Sequence, residues 1–422
     1  MINRINIFKS TILFVIFYVT TVAVRAQEQR ILTFNEYLNN VKNSNVSYLA
    51  EKYNVDIADA MVKASKVFPD PELSLSYANN QNWNLQMGYG IDAELNYTLE
   101  LGGKRKARIQ VAQSEKEMTE ALLEDYFRNL RADATIAYLM ALKQKTNLET
   151  QKSSYEQMAR LAQVDSIRFS LGDIMEVDAR QSKLEAATML NDLYSSEGEL
   201  REALINLALL QGNMNMELPD SISGSFDYYK RNFDLSALIT TAQNNRADLL
   251  AALKFNEVSQ NNLQLAKASR VIDLGISLGG NYSSIVRNEI APAPAFKSIM
   301  AGISVPLKFS NTNKGELRAA QFAVQQSEKQ YEVLELQIKS EVMQAYHKYE
   351  IACRQVEQFN TELLHEAEII CRKKIYSYER GETSILEMLN AQRTLNDIQL
   401  SYNEKLYECT AALVELEHTC GM

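Results

Sequence analysis

The sequence predicts a mostly helical fold built twice over, in which two long antiparallel helical hairpins accompany four strands that contribute to a β-barrel. Three observations predict it. Leu85–Leu101 alternates apolar and polar residues over seventeen positions. Lys104–Phe169 and Lys314–Tyr378 contain no proline and almost no glycine. An ordered series of matches relates the first half of the chain to the second.

From the N-terminus, Arg4 and Lys9 precede an apolar run, Thr11–Val24, and then Val24-Arg25-Ala26. This is the layout of a secretory signal peptide cleaved after Ala26. The run is too short to span a bilayer comfortably, and no other stretch approaches about 20 apolar residues. Gln27 follows the site, so no cysteine is placed there for lipid attachment. Removing the three basic residues of Met1–Ala26 takes the net charge from −9 to −12. An acidic chain is poorly suited to nucleic acid or to an anionic membrane surface. The 422 residues leave room for two or three domains or for one elongated architecture. The four cysteines all fall in the last seventy residues, with neither a disulfide framework nor a zinc spacing.

The duplication organises the rest. Val62-Lys63-Ala64-Ser65-Lys66-Val67 recurs as Ala266-Lys267-Ala268-Ser269-Arg270-Val271, and an alternating segment follows each. Gln113-Ser114-Glu115-Lys116 recurs as Gln326-Ser327-Glu328-Lys329, and Gly172 with Gln181 and Leu184 finds a counterpart in Gly381 with Gln392 and Leu395. The separation stays between about 204 and 213 residues, as small insertions would produce.

The first repeat, 27–211, is expected to run helix, strands about 72–79 and 84–101, then a hairpin over 104–210. Pro69 and Pro71 end its first helix. Gly102-Gly103 marks the change from strand to helical periodicity. A linker, 212–232, contains Pro219 and Gly224. The second repeat, 233–422, repeats the order with strands about 271–283 and 297–309 and a hairpin over 314–418. In it Tyr331, Leu334, Ile338, Val342, Ala345, Tyr349, Ala352, Val356, Phe359 and Leu363 step by three or four, which is coiled-coil spacing. The two hairpins turn at Gly172 and Gly381.

Four strands cannot close a barrel, because the smallest transmembrane barrels need about eight. An open sheet would leave unpaired edges in lipid. Closure therefore calls for several copies of the chain. Within the alternating strands Asp92, Glu94 and Glu100 fall on the polar face expected toward a wet lumen. Tyr77, Tyr89, Tyr97 and Tyr282 are either interfacial girdle residues or ordinary strand tyrosines.

Over its mature length the chain resembles the TolC family of outer-membrane efflux proteins. The resemblance is carried by the ordered duplication, the paired strands, the transitions LELGGKRKA and LKFSNTNKGEL, and the tip YERGETSILEMLNAQRTL. It implies a homotrimer with a twelve-stranded barrel in outer-membrane lipid, continued by a helical tunnel through the periplasm. It also implies docking on a periplasmic adaptor, which connects the duct to an inner-membrane transporter. Family members close the periplasmic end with acidic rings six and nine positions after the tip glycine. Here those positions are Glu387 and Asn390, so the first keeps the acid and the second does not. Tyr378 matches the tyrosine of the family's closing network, and Thr383 stands where its basic partner is expected. Glu176 and Asp178 are the acidic residues near the first tip, and Gly172 and Gly381 mark the adaptor-docking tips.

No nucleophile motif, phosphate loop or acid–base pair is present, so neither an enzyme nor a cofactor is expected. His347, His365 and His418 have no ligand spacing, and Met214 with Met216 is thin support for soft-metal binding. Cys353 and Cys409 each lie 28 residues from Gly381 and are expected to sit level across the hairpin, as packed thiols or as a disulfide. The rival reading is a soluble periplasmic coiled-coil adaptor. Such a protein would have one hairpin flanked by small β-domains, not two hairpins with long alternating strands.

Overall fold

The structure is a computed structural model that describes residues 31–80, 86–226, 230–307 and 313–422. The expected signal peptide, the Leu85 start of the long strand, its preceding turn at 81–84, part of the linker, and the 308–312 end of the last strand lie outside the described residues.

In chain order the elements are β1 (Ile31–Leu32), α1 (Phe34–Ser44), α2 (Val46–Ser65), β2 (Glu72–Asn79), β3 (Tyr89–Leu99), α3 (Lys104–Leu171) and α4 (Glu176–Leu210). They continue as β4 (Ser221–Ile222), α5 (Leu235–Asn245), α6 (Ala247–Ala268), β5 (Leu274–Ser283), β6 (Phe296–Ser304) and α7 (Lys314–Gln358). A π-helical turn, Phe359–Leu363, leads into α8 (Leu364–Glu379), and α9 (Ile385–Thr419) completes the chain. The chain divides into two compact units, each drawing on both repeats.

One unit, Ser47–Phe127 with Ser236–Met343 and Thr419–Met422, contains the strands β2, β3, β5 and β6. They form one antiparallel sheet in the order β2-β3-β5-β6, so the repeats meet at the β3–β5 ladder. Leu73 pairs with Leu95, Leu95 with Leu278, and Leu278 with Ala301. Because side chains alternate along a strand, this register aligns Leu73, Leu75, Ile91, Ile276, Ile299 and Ile303 on one face, and all six are exposed. Tyr89 stands between Tyr77 and Tyr282 at one end of that face, with ring centres 6.1 and 6.0 Å away.

The strand-to-helix turn in this unit needs its glycine. Gly102 has φ +73°, and a Cβ there would lie 2.4 Å from Val271 Cβ. Lys104 Nζ closes the same junction on Asp273 at 2.7 Å.

The other unit comprises residues up to Val46, Arg128–Leu235 and Gln344–His418, and carries the hairpin tips. Its short parallel pair β1–β4 was not expected, since two-residue strands leave no periodicity to read. The Tyr138 hydroxyl reaches the carbonyls of Ser223 (2.7 Å) and Leu32 (3.0 Å), so α3 holds both short strands. Phe34 packs edge-on against the Tyr138 ring, 5.2 Å between centres.

Each repeat was expected to open with one helix; each opens with two. The first break falls at Asn45, whose backbone is extended and whose side-chain amide donates to Leu210 O at 2.8 Å. A Cβ on Gly212 would lie 2.1 Å from Ser44 O, so the end of the first hairpin abuts this break. In the sheet-bearing unit the second break, at Arg246, meets the end of the second hairpin, where a Cβ on Gly421 would lie 3.1 Å from Asn245. The same close approach, made once per repeat, interrupts both helices.

Helix α3 is a single run of 68 residues, roughly 100 Å at 1.5 Å per residue. The expected single helix Lys314–Tyr378 is instead α7 and α8 with the π turn between them. Along α7 Ile338, Val342, Ala345, Tyr349, Ala352 and Val356 are buried, as their spacing requires. Burying each of the larger ones contributes about 1.5–3 kcal/mol. No helix among the described residues is long and apolar enough to cross a membrane.

Candidate functional site: the hairpin tips and the polar face of the sheet

Both hairpins turn in the same way. Gly172 and Gly381 adopt φ of +84° and +75°, conformations that favour glycine. Asp173 N donates to Arg168 O (2.9 Å) and Glu382 N to Ser377 O (2.9 Å), closing the helix ends with reversed-turn hydrogen bonds. The four arms pack on one cluster, in which Met158 and Ala162 meet Ala186 and Met189, and Tyr378, Ile385, Met388 and Leu389 complete the core.

Inside that packing lies a carboxyl group absent from the expected site. Asp165, on α3, is 0% exposed. The Tyr378 hydroxyl donates to its Oδ1 at 3.0 Å, tying α8 of the second hairpin to α3 of the first. Its Oδ2 has no hydrogen-bond partner within ordinary distance, and the neighbouring Ser182 hydroxyl also lies 3.2 Å from Ala179 O. Arg168 lies 3.9 Å from Oδ1, and its guanidinium stands 5.5 Å from the centre of the Tyr378 ring. Burial pushes the Asp165 carboxyl above the usual carboxylate range, against Ser182, Tyr378 and Arg168, while Asp178 on α4 reinforces the rise. Burial, and then the Asp165 charge, likewise raise the Tyr378 phenol. No sequence signal joins Tyr378 to Asp165, which lies 213 positions away.

Glu387 occupies the first turn of α9. Lys374 Nζ lies 2.6 Å from its Oε2, and the Thr383 hydroxyl donates to the same oxygen at 2.7 Å. The Lys374 ammonium, then Thr383, holds this carboxyl below the usual glutamate range. Thr383 thus binds the acid although it carries no charge, and Lys374 supplies the base from α8. Asn390, one turn on, is exposed on the same side of α9. At the first tip Glu176 is paired with Arg180 (Oε1 to Nε, 2.7 Å), and Asp178 faces Asp165 electrostatically. A further link was missed: Arg393 on α9 grips the buried Glu185 of α4 through two nitrogens, with Nε at 2.6 Å.

On the polar face of the sheet, Asp92 accepts from Ser76 (3.0 Å) and from the Asn281 amide, so it bridges β2, β3 and β5. Glu94 sits two residues on, against Gly279, where a Cβ would meet its Cγ at 3.4 Å. Glu100, the third acid of the alternating segment, lies just past the strand. Strand β3 ends at Leu99, and Glu100 is held by Arg108, Oε1 to Nη1 at 2.7 Å. Arg108 also donates to the carbonyls of Ser65 and Val67 (both 3.2 Å), so Glu100 fastens the strand–helix junction. His418 Nε2 is 2.8 Å from Asn129 Oδ1.

Comparison with known proteins agrees with this architecture. The model of the family described as outer membrane efflux protein matches residues 37–213 and again 238–422, one match per repeat. The cobalt-zinc-cadmium resistance protein CzcC of Cupriavidus metallidurans is 23% identical over 391 residues, covering 92% of this chain and 90% of that protein. Outer membrane protein TolC of Vibrio cholerae is 21% identical over 394 residues, with the same coverage. The crystal structure of the Campylobacter jejuni CmeC outer membrane channel superposes with a TM-score of 0.75 at 16% identity, covering 92% of this chain and 85% of CmeC. Two family matches in tandem, over a fold of paired strands and long hairpins, place this chain in the outer membrane efflux protein family as a TolC-like channel protein.

Proposed function

We propose that three copies of the chain close a twelve-stranded barrel in the outer membrane. The helical hairpins extend it through the periplasm as an exit duct. It receives substrates from an inner-membrane transporter through a periplasmic adaptor. The chain is a conduit, not a catalyst. The observation that carries this reading is the four-stranded sheet, with one continuous exposed apolar face, a polar reverse face bearing Asp92 and Glu94, and two open edges. In water that face would be exposed at a cost of about 25 cal/mol per Å2, whereas against lipid it is matched. Open edges are not tolerated in lipid, so neighbouring copies must pair them.

The tips serve as the periplasmic constriction and the adaptor contact. Tyr378 with Asp165, and Arg393 with Glu185, hold the hairpins together, and a ring of Glu387 carboxylates draws cations toward the narrowing. Exposed Leu171, Met175 and Val177 around Gly172 offer the adaptor an apolar contact. Cleavage after Ala26 precedes assembly, so N-terminal sequencing of the mature protein should begin at Gln27.

The deciding experiment is the mass of the protein extracted from outer membranes, with the bound detergent subtracted. A mass of three chains is expected. A monomer that stays in solution without detergent would overturn the barrel.

A further inference from the structure

Cys353 on α7 and Cys409 on α9 are both buried, and their sulfurs stand 3.2 Å apart, closer than two unbonded sulfur atoms usually approach. They face each other across the two arms of the second hairpin, each 28 residues from Gly381. The other two thiols are engaged elsewhere: Cys371 lies 3.2 Å from Gln392 Oε1, and Cys420 is buried in the sheet-bearing unit. Tyr349, one turn before Cys353, lies against this pair, and its hydroxyl is pushed up to about 12, first by burial.

We propose that Cys353 and Cys409 are joined by a disulfide in the mature protein, a covalent staple between the arms of the second hairpin. The proposal rests on the periplasmic placement of the helices, since disulfides persist in that compartment. The co-reactant is a protein disulfide donor of the thiol-exchange class. One cysteine thiolate attacks the donor's disulfide, forming a mixed disulfide and releasing one donor sulfur. The second cysteine thiolate then displaces the other donor sulfur. One S–S bond forms in this chain as one breaks in the donor, two electrons pass to the donor, and the two cysteine protons end on its thiols. Burial raises the Cys409 thiol, with Cys353 adding to the rise, so little attacking thiolate exists once the arms have packed. Exchange therefore occurs while the hairpin is still open. Afterwards the bond is shielded, and movement of α7 against α9 is confined to the 55 residues on its tip side.

The test uses the native protein from the outer-membrane fraction, denatured in N-ethylmaleimide without reductant and then mapped by mass spectrometry. The expected result is alkylation of Cys371 and Cys420 only, with a linked Cys353–Cys409 peptide two hydrogens lighter than its separate parts. After reduction all four cysteines should be alkylated. A C371S/C420S variant should take no label before reduction and two labels after it. Four labels on outer-membrane protein without reduction would overturn the staple and leave the duct reading standing. Four labels on a chain recovered only from the cytoplasm would overturn both. A linkage between any other pair would overturn the staple.

Discussion

The two hairpin tips share a turn and differ in what they bury. Around Gly381 the apolar residues Ile385, Met388 and Leu389 face inward, and the exposed side carries the Lys374–Glu387–Thr383 cluster. Around Gly172 the apolar residues Leu171, Met175 and Val177 face outward. The first ascending arm is one unbroken helix, whereas the second changes hydrogen-bonding pattern through a π turn. Equal chain geometry therefore carries unequal chemistry. The second tip turns its apolar side chains inward, and the first turns its own outward.

The largest expected effect separates the tips by one substitution made twice. Met388→Ala, at a side chain 1% exposed, should lower unfolding free energy by about 2–5 kcal/mol. The same change at Met175, 73% exposed, should stay within about 0.5 kcal/mol. Denaturant titration of the two variants checks the pair, and equal losses would erase the distinction between them.

Next in size, Tyr378→Phe strips Asp165 Oδ1 of the Tyr378 hydroxyl, a loss of about 1–3 kcal/mol. Amide exchange over Ile385–Leu389 should quicken, and single-channel conductance in planar bilayers should rise. Unaltered exchange would show that this hydrogen bond does not hold the hairpins together.

Asp165→Asn keeps an acceptor for Tyr378 and removes the charge. The folded carboxyl is raised above its unfolded value of 3.8, so its favourable contribution is complete below that value and is lost as pH rises through the folded value. The variant should therefore gain stability over the parent progressively from about pH 4 upward, read as the difference in unfolding midpoint across a pH series. A constant difference would place the proton elsewhere.

The smallest effects concern surfaces. Glu387→Gln should weaken block of single-channel current by multivalent cations, modestly, because Lys374 already neutralises part of the charge. Met175→Ser with Val177→Ser should leave trimer mass unchanged while lowering capture of the adaptor. Full capture would remove the first tip from the docking surface.

Much of this was legible because periodicity reports local structure. The alternation around Ile91 and Leu95 placed β3, and the absence of proline from Lys104 onward foretold the length of α3. Counting outward from Gly381 brought Cys353 level with Cys409. What escaped depends on distant partners. Asp165 looks like one more surface acid of an amphipathic helix until Tyr378 and Ser182 close over it. Glu100 continued the polar phase of the strand, but the ladder stops at Leu99 and Arg108 turns the side chain to the junction. The breaks at Asn45 and Arg246 arise where Gly212 and Gly421 press against them, a contact that helical propensity does not encode.

The open edges of β2 and β6 bear on the order of events in assembly. Each unpaired backbone group would cost several kcal/mol in hydrocarbon, so one copy has no favourable path into the bilayer. Under the proposed three-copy closure, entry into the membrane and ring formation become coupled. Dilution should then slow insertion, because each chain must meet its neighbours before its edges are paired.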